Sequence, residues 1–171
     1  YGLLTGHEEE AEAAFASEAD AFKAISGEEA TGKTVAFFYI TSNGEANVRK
    51  TADYLPKMIE LAGGTYIFQD LGDAEDATST LSMTMEEFYT GAKDADYIIY
   101  NSTIEGQLSS VDELLAKSPL LGKFRAVQEG HVYCTMKNLY QSTMELGTIT
   151  SDIHRMLVGD DGDLTYLYKL N

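Results

Sequence analysis

Short apolar runs alternate with longer amphipathic stretches along this chain. Val35-Ala36-Phe37-Phe38-Tyr39-Ile40 is a continuous run rich in β-formers, which predicts a strand buried on both faces. Thr65-Tyr66-Ile67-Phe68, Tyr97-Ile98-Ile99-Tyr100 and His131-Val132-Tyr133-Cys134 predict three more strands, with a weak strand or turn at Phe124-Arg125-Ala126-Val127. Between them the period changes to three and four. Helices are predicted over 53–62, from Thr84 onward, over 110–116 and over 142–157, the last with Met144, Leu146, Ile149, Ile153, Met156 and Leu157 on its apolar face. Asp53 stands as an N-cap with Pro56 in the first turn, and Thr84 and Glu87 have capping-box spacing. The tail Leu164 to Tyr168 is apolar enough to dock.

Ahead of the first strand, residues 7–26 predict a long helix rich in alanine and glutamate. Its stripe of Ala11, Ala14, Phe15, Ala19, Phe22 and Ile25 is thin, so the helix needs a partner surface. Strands alternating with helices predict an α/β fold: a three-layer, mainly parallel sheet flanked by helices. In such sheets ligands bind beyond the carboxyl ends of the strands. The polar stretches 41–50, 69–80, 101–107 and 135–141, all read as loops, are therefore the candidate functional rim.

With 171 residues, one sizeable core is expected. A formal charge of −16 argues against nucleic acid and anionic lipid as partners. No apolar run reaches membrane-spanning length. Tyr1 is not an initiator residue, so the chain is expected to start inside a longer product whose targeting signal lies upstream. The single cysteine, Cys134, sits in an apolar run and reads as a buried, inert thiol. No G-x-S-x-G elbow or G-x-G-x-x-G fingerprint occurs, and Gly32-Lys33-Thr34 precedes a strand where a phosphate loop follows one. His7, His131 and His154 share no metal-ligand spacing. What remains on the rim is binding chemistry. Arg49 and Lys50 are cations, Asn43, Asn47, Asn101, Ser102, Asn138 and Gln141 donate and accept, and Met136 and Tyr140 suit a large apolar cargo.

An ordered set of segments resembles the C-terminal lobe of the substrate-binding proteins that serve iron-siderophore, haem and cobalamin ABC importers. The set comprises the long helix at 7–26, Leu61-Ala62-Gly63-Gly64 leading into Thr65-Tyr66-Ile67-Phe68, Ser82 to Phe88, Asp94-Ala95-Asp96-Tyr97-Ile98-Ile99, and Phe124 to Tyr133. The resemblance implies an interlobe linker helix at 1–30 and a C-terminal lobe at 31–171, with the N-terminal lobe outside this sequence. It implies an extracytoplasmic binding protein, periplasmic or a surface lipoprotein, and not an enzyme. No intrinsic cofactor is implied, and the cargo would be a ferric siderophore, haem or cobalamin-type chelate. Asn43, Arg49, Asn101, Ser102, Met136, Asn138, Tyr140 and Gln141 would face the cleft, and Glu86 would dock on arginines of the permease. Two alternatives stand beside it: a flavodoxin-like cytoplasmic enzyme or regulator, and a manganese- or zinc-binding protein of the same architecture.

Overall fold

The computed structural model describes residues 8–25, 30–72, 78–139 and 145–171. The run at 35–40 becomes β1 (Thr34–Ile40), whose side chains are buried on both faces. After a tight turn the chain folds back as β2 (Ala46–Arg49), antiparallel to β1 with Ile40 opposite Ala46. Then come α2 (Tyr54–Leu61), β3 (Thr65–Tyr66), β4 (Thr80–Met83), α3 (Met85–Ala92) and β5 (Tyr97–Tyr100). α1 (Glu8–Ile25) precedes β1. The second half holds α4 (Ser102–Glu105), α5 (Val111–Lys117), a 3-10 turn (Pro119–Lys123), α6 (Arg125–Gln128), β6 (Val132–Thr135), α7 (Leu146–Val158) and β7 (Leu167–Lys169).

The sheet runs β4-β2-β1-β5-β6-β7. Its centre is parallel: β1 pairs with β5 and β5 with β6. Antiparallel strands extend both sides, β2 and β4 on one and β7 on the other. One edge of β1 is divided. Its amino half pairs with β3 and its carboxyl half with β2. Helices cover both faces. Phe38, Ile98 and Tyr100 pack with Phe88, Leu114, Leu121 and Phe124 on one side. Phe37 and Ile99 pack with Leu55, Ile59, Ile153 and Met156 on the other.

Local signals explain the ends of the elements. Asp53 caps α2 by accepting from Leu55 N–H at 3.0 Å. Thr84 and Glu87 form the full capping box on α3. Differences from the sequence reading have physical causes. β2 and β4 were expected as loop, and they are strands only because they pair with each other and with β1. Of the strand or turn expected at 124–127, the structure has a helical turn at Arg125–Gln128, and α4 was not foreseen. β3 stops after two residues, because only Thr34 and Val35 are left for it to pair with.

α1 packs along α7. Glu18 meets the first turn of α7, while Thr31 donates to Gly63 O at 2.7 Å. Gly63 and Gly64 lie beside the last turns of α7, where His154 bonds Ala62 O and Leu157 abuts Gly64. The two helices therefore run in the same sense. Residues 8–17 precede the contact, so about 15 Å of α1 extends past the start of α7 at 1.5 Å per residue. Phe15 in that stretch is 70% exposed.

Candidate functional site

The parallel register sets one level for the strand ends. Phe38 lies opposite Tyr100, and Tyr100 opposite Cys134. Through Ala46, the end of β1 at Ile40 is also level with Met83 at the end of β4. Four segments therefore leave the sheet at one end: 41–45, 84–87, 101–107 and 136–139. α7 descends from this end, since Leu157 reaches Gly64 beside the amino half of β1.

The turn after β1 is closed by Thr41 N–H to Glu45 O at 2.8 Å and Gly44 N–H to Thr41 O at 2.9 Å. Gly44 has φ 80°, a conformation that glycine adopts without a Cβ clash. Asn43 is exposed at the tip. Since this turn leads into β2 and not into a helix, it offers no helix N-terminus to a phosphate, as the flavodoxin-like alternative would need.

Asn101 and Ser102 are buried beneath the rim. Asn101 Oδ1 accepts from Thr103 N–H at 3.1 Å and from its hydroxyl at 2.7 Å, capping α4. The Ser102 hydroxyl donates to Thr135 O, and its N–H donates to Thr135 Oγ1 at 2.9 Å. Together they join the ends of β5 and β6 and hold up what lies above. That layer includes Ile104, which is 59% exposed. Sequence reading placed the stretch around Ile104 on the rim without singling that residue out, although one apolar residue inside Asn-Ser-Thr-Ile-Glu-Gly was a usable signal. Met136 is half-buried, with Gln107 Nε2 3.5 Å from its sulfur. Asn138 is exposed, and Leu139 anchors the loop in the core. Tyr140 and Gln141 lie outside the described residues.

Arg49 sits apart from this group. Its guanidinium is 3.5 Å from Asp53 with the side chain 15% exposed, and its carbonyl accepts from the Tyr66 hydroxyl at 2.8 Å. It ties β2 to the start of α2, away from the rim. Lys50 is buried too and donates to Thr78 Oγ1 at 2.7 Å. Asn47 reaches across to Ser82 Oγ at 3.0 Å. A cavity of about 550 Å3 lined by Thr34, Thr65, Tyr66, Phe68, Gln69 and Gly91 opens against the amino half of β1, at the opposite end from the rim.

Glu86 and Glu87 share the first turn of α3, where the free amides favour carboxylates. Hydrogen bonds from the Thr84 backbone and hydroxyl engage Glu87 and hold its pKa below the ordinary glutamate value. Glu86 is exposed at the same end of the sheet as Asn43 and Ile104. Cys134 is fully buried, and burial pushes its thiol pKa up, so it is a poor nucleophile. His131 stacks on Tyr97 with centroids 4.6 Å apart, and His154 bonds a backbone carbonyl. Among the described residues no three His, Cys, Asp or Glu side chains gather as a metal-ligand set. The rim is thus a mixed polar and apolar surface above the buried hydrogen bonds of Asn101 and Ser102.

A family model described as "Periplasmic binding protein" matches residues 1–139. No curated protein matches. Solved structures do. An ABC-type Fe3+-hydroxamate transport system from Saccharomonospora viridis shares 18% identity with TM-score 0.68, over 93% of this chain and 52% of its own. The periplasmic heme binding protein HutB of Vibrio cholerae shares 18% with TM-score 0.65, over 92% and 58%. A siderophore periplasmic binding protein from the fuscachelin gene cluster of Thermobifida fusca shares 21% with TM-score 0.66, over 91% and 57%. At these identities the likeness is one of fold. The chain spans little more than half the length of these three structures.

Proposed function

Since the chain belongs to the periplasmic binding protein family, we propose that it is one lobe of the substrate-binding component of an ABC importer, working outside the cytoplasm. The observation that carries this reading is the single rim: four segments leave one end of the sheet, and α1 runs on past that same end. On this reading residues 1–30 are the interlobe linker and 31–171 the C-terminal lobe, with a second lobe closing the cleft over the rim. The cargo is a ferric siderophore, haem or a corrinoid. Asn43, Ile104, Met136 and Asn138 contact it, and the same role is proposed for Tyr140 and Gln141, which lie outside the described residues. Asn101 and Ser102 support those contacts from below. Capture between lobes followed by docking on the permease would be the whole of the chemistry.

The test is a set of absorbance and fluorescence titrations of the two-lobed protein with haemin, a ferric hydroxamate and cyanocobalamin. One tight ligand is expected, and binding of none of the three would overturn the cargo class. Glu86 makes a separate prediction. Placed on the exposed first turn of α3, it is proposed to pair with cations of the permease. Glu86→Lys is expected to leave cargo affinity unchanged and to lower transport by about tenfold, the effect of losing one well-placed charge pair. Loss of cargo binding in that variant would contradict the docking role.

A further inference from the structure

The first amides of a helix lack intrahelical acceptors and favour nearby negative charge. In α7 the residue at the N-cap position, Glu145, makes no side-chain cap bond. The acceptor comes from another helix. Glu18 Oε2 on α1 accepts from Gly147 N–H at 2.6 Å and Thr148 N–H at 3.2 Å, and Oε1 accepts from the Thr148 hydroxyl at 2.8 Å. A residue 129 positions upstream therefore caps α7.

Two parts of the molecule meet at this joint. α7 begins at Leu146, at the end of the sheet where Met136 and Asn138 follow β6 on the rim. Glu18 is also the point beyond which α1 runs past the lobe. A tilt of 10° about this point would move the far end of that segment by about 3 Å, given its length of about 15 Å. Binding sites work only when their parts are held to about 0.5 Å and 10–20°.

We propose that Glu18 is a positioning residue for binding: its three hydrogen bonds to the first turn of α7 fix the angle at which α1 leaves the lobe. The functional half of this proposal rests on the binding reading given above. The structural half does not, and the test separates them.

Hydrogen exchange on this chain is measured for wild type, Glu18→Ala, Glu18→Gln and Thr148→Val. In Glu18→Ala the amides of Gly147 and Thr148 are expected to exchange about tenfold faster, the loss typical of one helix cap. The β1, β5 and β6 amides are expected to stay unchanged. Glu18→Gln keeps an acceptor and should fall between, and Thr148→Val should show a smaller rise. Spin labels at Glu12 and Lys123, both exposed, should give a narrow distance distribution in wild type and a broad one in Glu18→Ala. Unchanged exchange at 147 and 148 overturns the proposal, and so does a uniform rise across the sheet, which would make Glu18 a stability residue only. If Glu18→Ala does not fold, Glu18→Gln and Thr148→Val carry the same comparison. In the two-lobed protein, the ligand among haemin, ferric hydroxamate and cyanocobalamin that binds wild type should bind Glu18→Ala about tenfold more weakly, with a melting temperature lowered by no more than the few degrees that one lost cap costs. Equal affinity would remove the functional half. Failure of all three to bind wild type would instead count against the binding reading and leave the joint standing.

Discussion

Phe88→Ala is expected to destabilise the protein by about 3–5 kcal/mol, the range for truncating a fully buried phenylalanine. Phe88 is inaccessible to solvent and sits among three aromatic rings. Its centroid is 4.5 Å from Phe38, 5.4 Å from Phe124 and 6.0 Å from Phe68. Those rings belong to β1, to the turn before α6 and to the segment after β3. One truncation therefore opens a void against three separate stretches of chain, which cannot all collapse into it. Typical domains hold only about 5–15 kcal/mol in total, so the loss is a large share of the whole. Urea unfolding monitored by circular dichroism checks it. A loss below about 1.5 kcal/mol would mean that the cluster relaxes around the gap. Phe88→Leu keeps most of the volume and should lose much less. Because Phe88 anchors α3, the alanine variant should also loosen the turn that bears Glu86.

The second large effect concerns Asp152 on α7. The residue is only 2% exposed. Oδ2 accepts from the N–H groups of Thr165 at 2.8 Å and Tyr166 at 2.5 Å. Asp152→Ala leaves both amides without this acceptor, at about 1–3 kcal/mol for each. Burial pushes the Asp152 pKa up to about 6, against the pull of the Thr165 amide, of Arg155 and of the Leu167 amide. A folded-state pKa above the free value of 3.8 means that the fold prefers the protonated form. The associated stability is complete below about pH 4 and is lost as pH rises through 6, at most about 3 kcal/mol for a two-unit shift. Asp152→Asn keeps an acceptor oxygen and cannot titrate. The difference in unfolding free energy between wild type and Asp152→Asn should therefore change between pH 4 and 6 and be flat above 7. Parallel curves across that window would show that the carboxyl is not perturbed.

Much of the fold was legible because it rests on local pattern. The runs at 35–40, 97–100 and 132–134 are buried on both faces and could hardly be other than central strands. Asp53, Thr84 and Glu87 announced two helix starts through side-chain chemistry that needs no tertiary partner. β2 and β4 were not legible. Ala46 to Arg49 and Thr80 to Met83 are mixed polar segments whose strand character comes from each other and from β1. The site divided in the same way. Its end of the sheet followed from the parallel order, and Asn43, Met136, Asn138 and Glu86 are on it. Arg49 was singled out as a cation on a loop, but that loop is a strand, and the strand turns its side chain toward Asp53. Asn101 and Ser102 were chosen for hydrogen-bonding capacity, which they use on α4 and Thr135. Spacing along the chain cannot distinguish a polar group that faces a solute from one that ties two strand ends together. Nor could it have paired Glu18 with Gly147 and Thr148.

The sheet closes off its own margins. Its outermost strands, β4 and β7, are four and three residues long, and β3 beside the amino half of β1 is only two. Among the described residues a stranger's strand would find very little unpaired strand edge along which to zip, and on β4 only Leu81 offers a large exposed apolar side chain. Short margins of this kind are a defence against edge-to-edge aggregation. Among the described residues, pairing between the outer edges of two copies would have at most four residues of strand to work with.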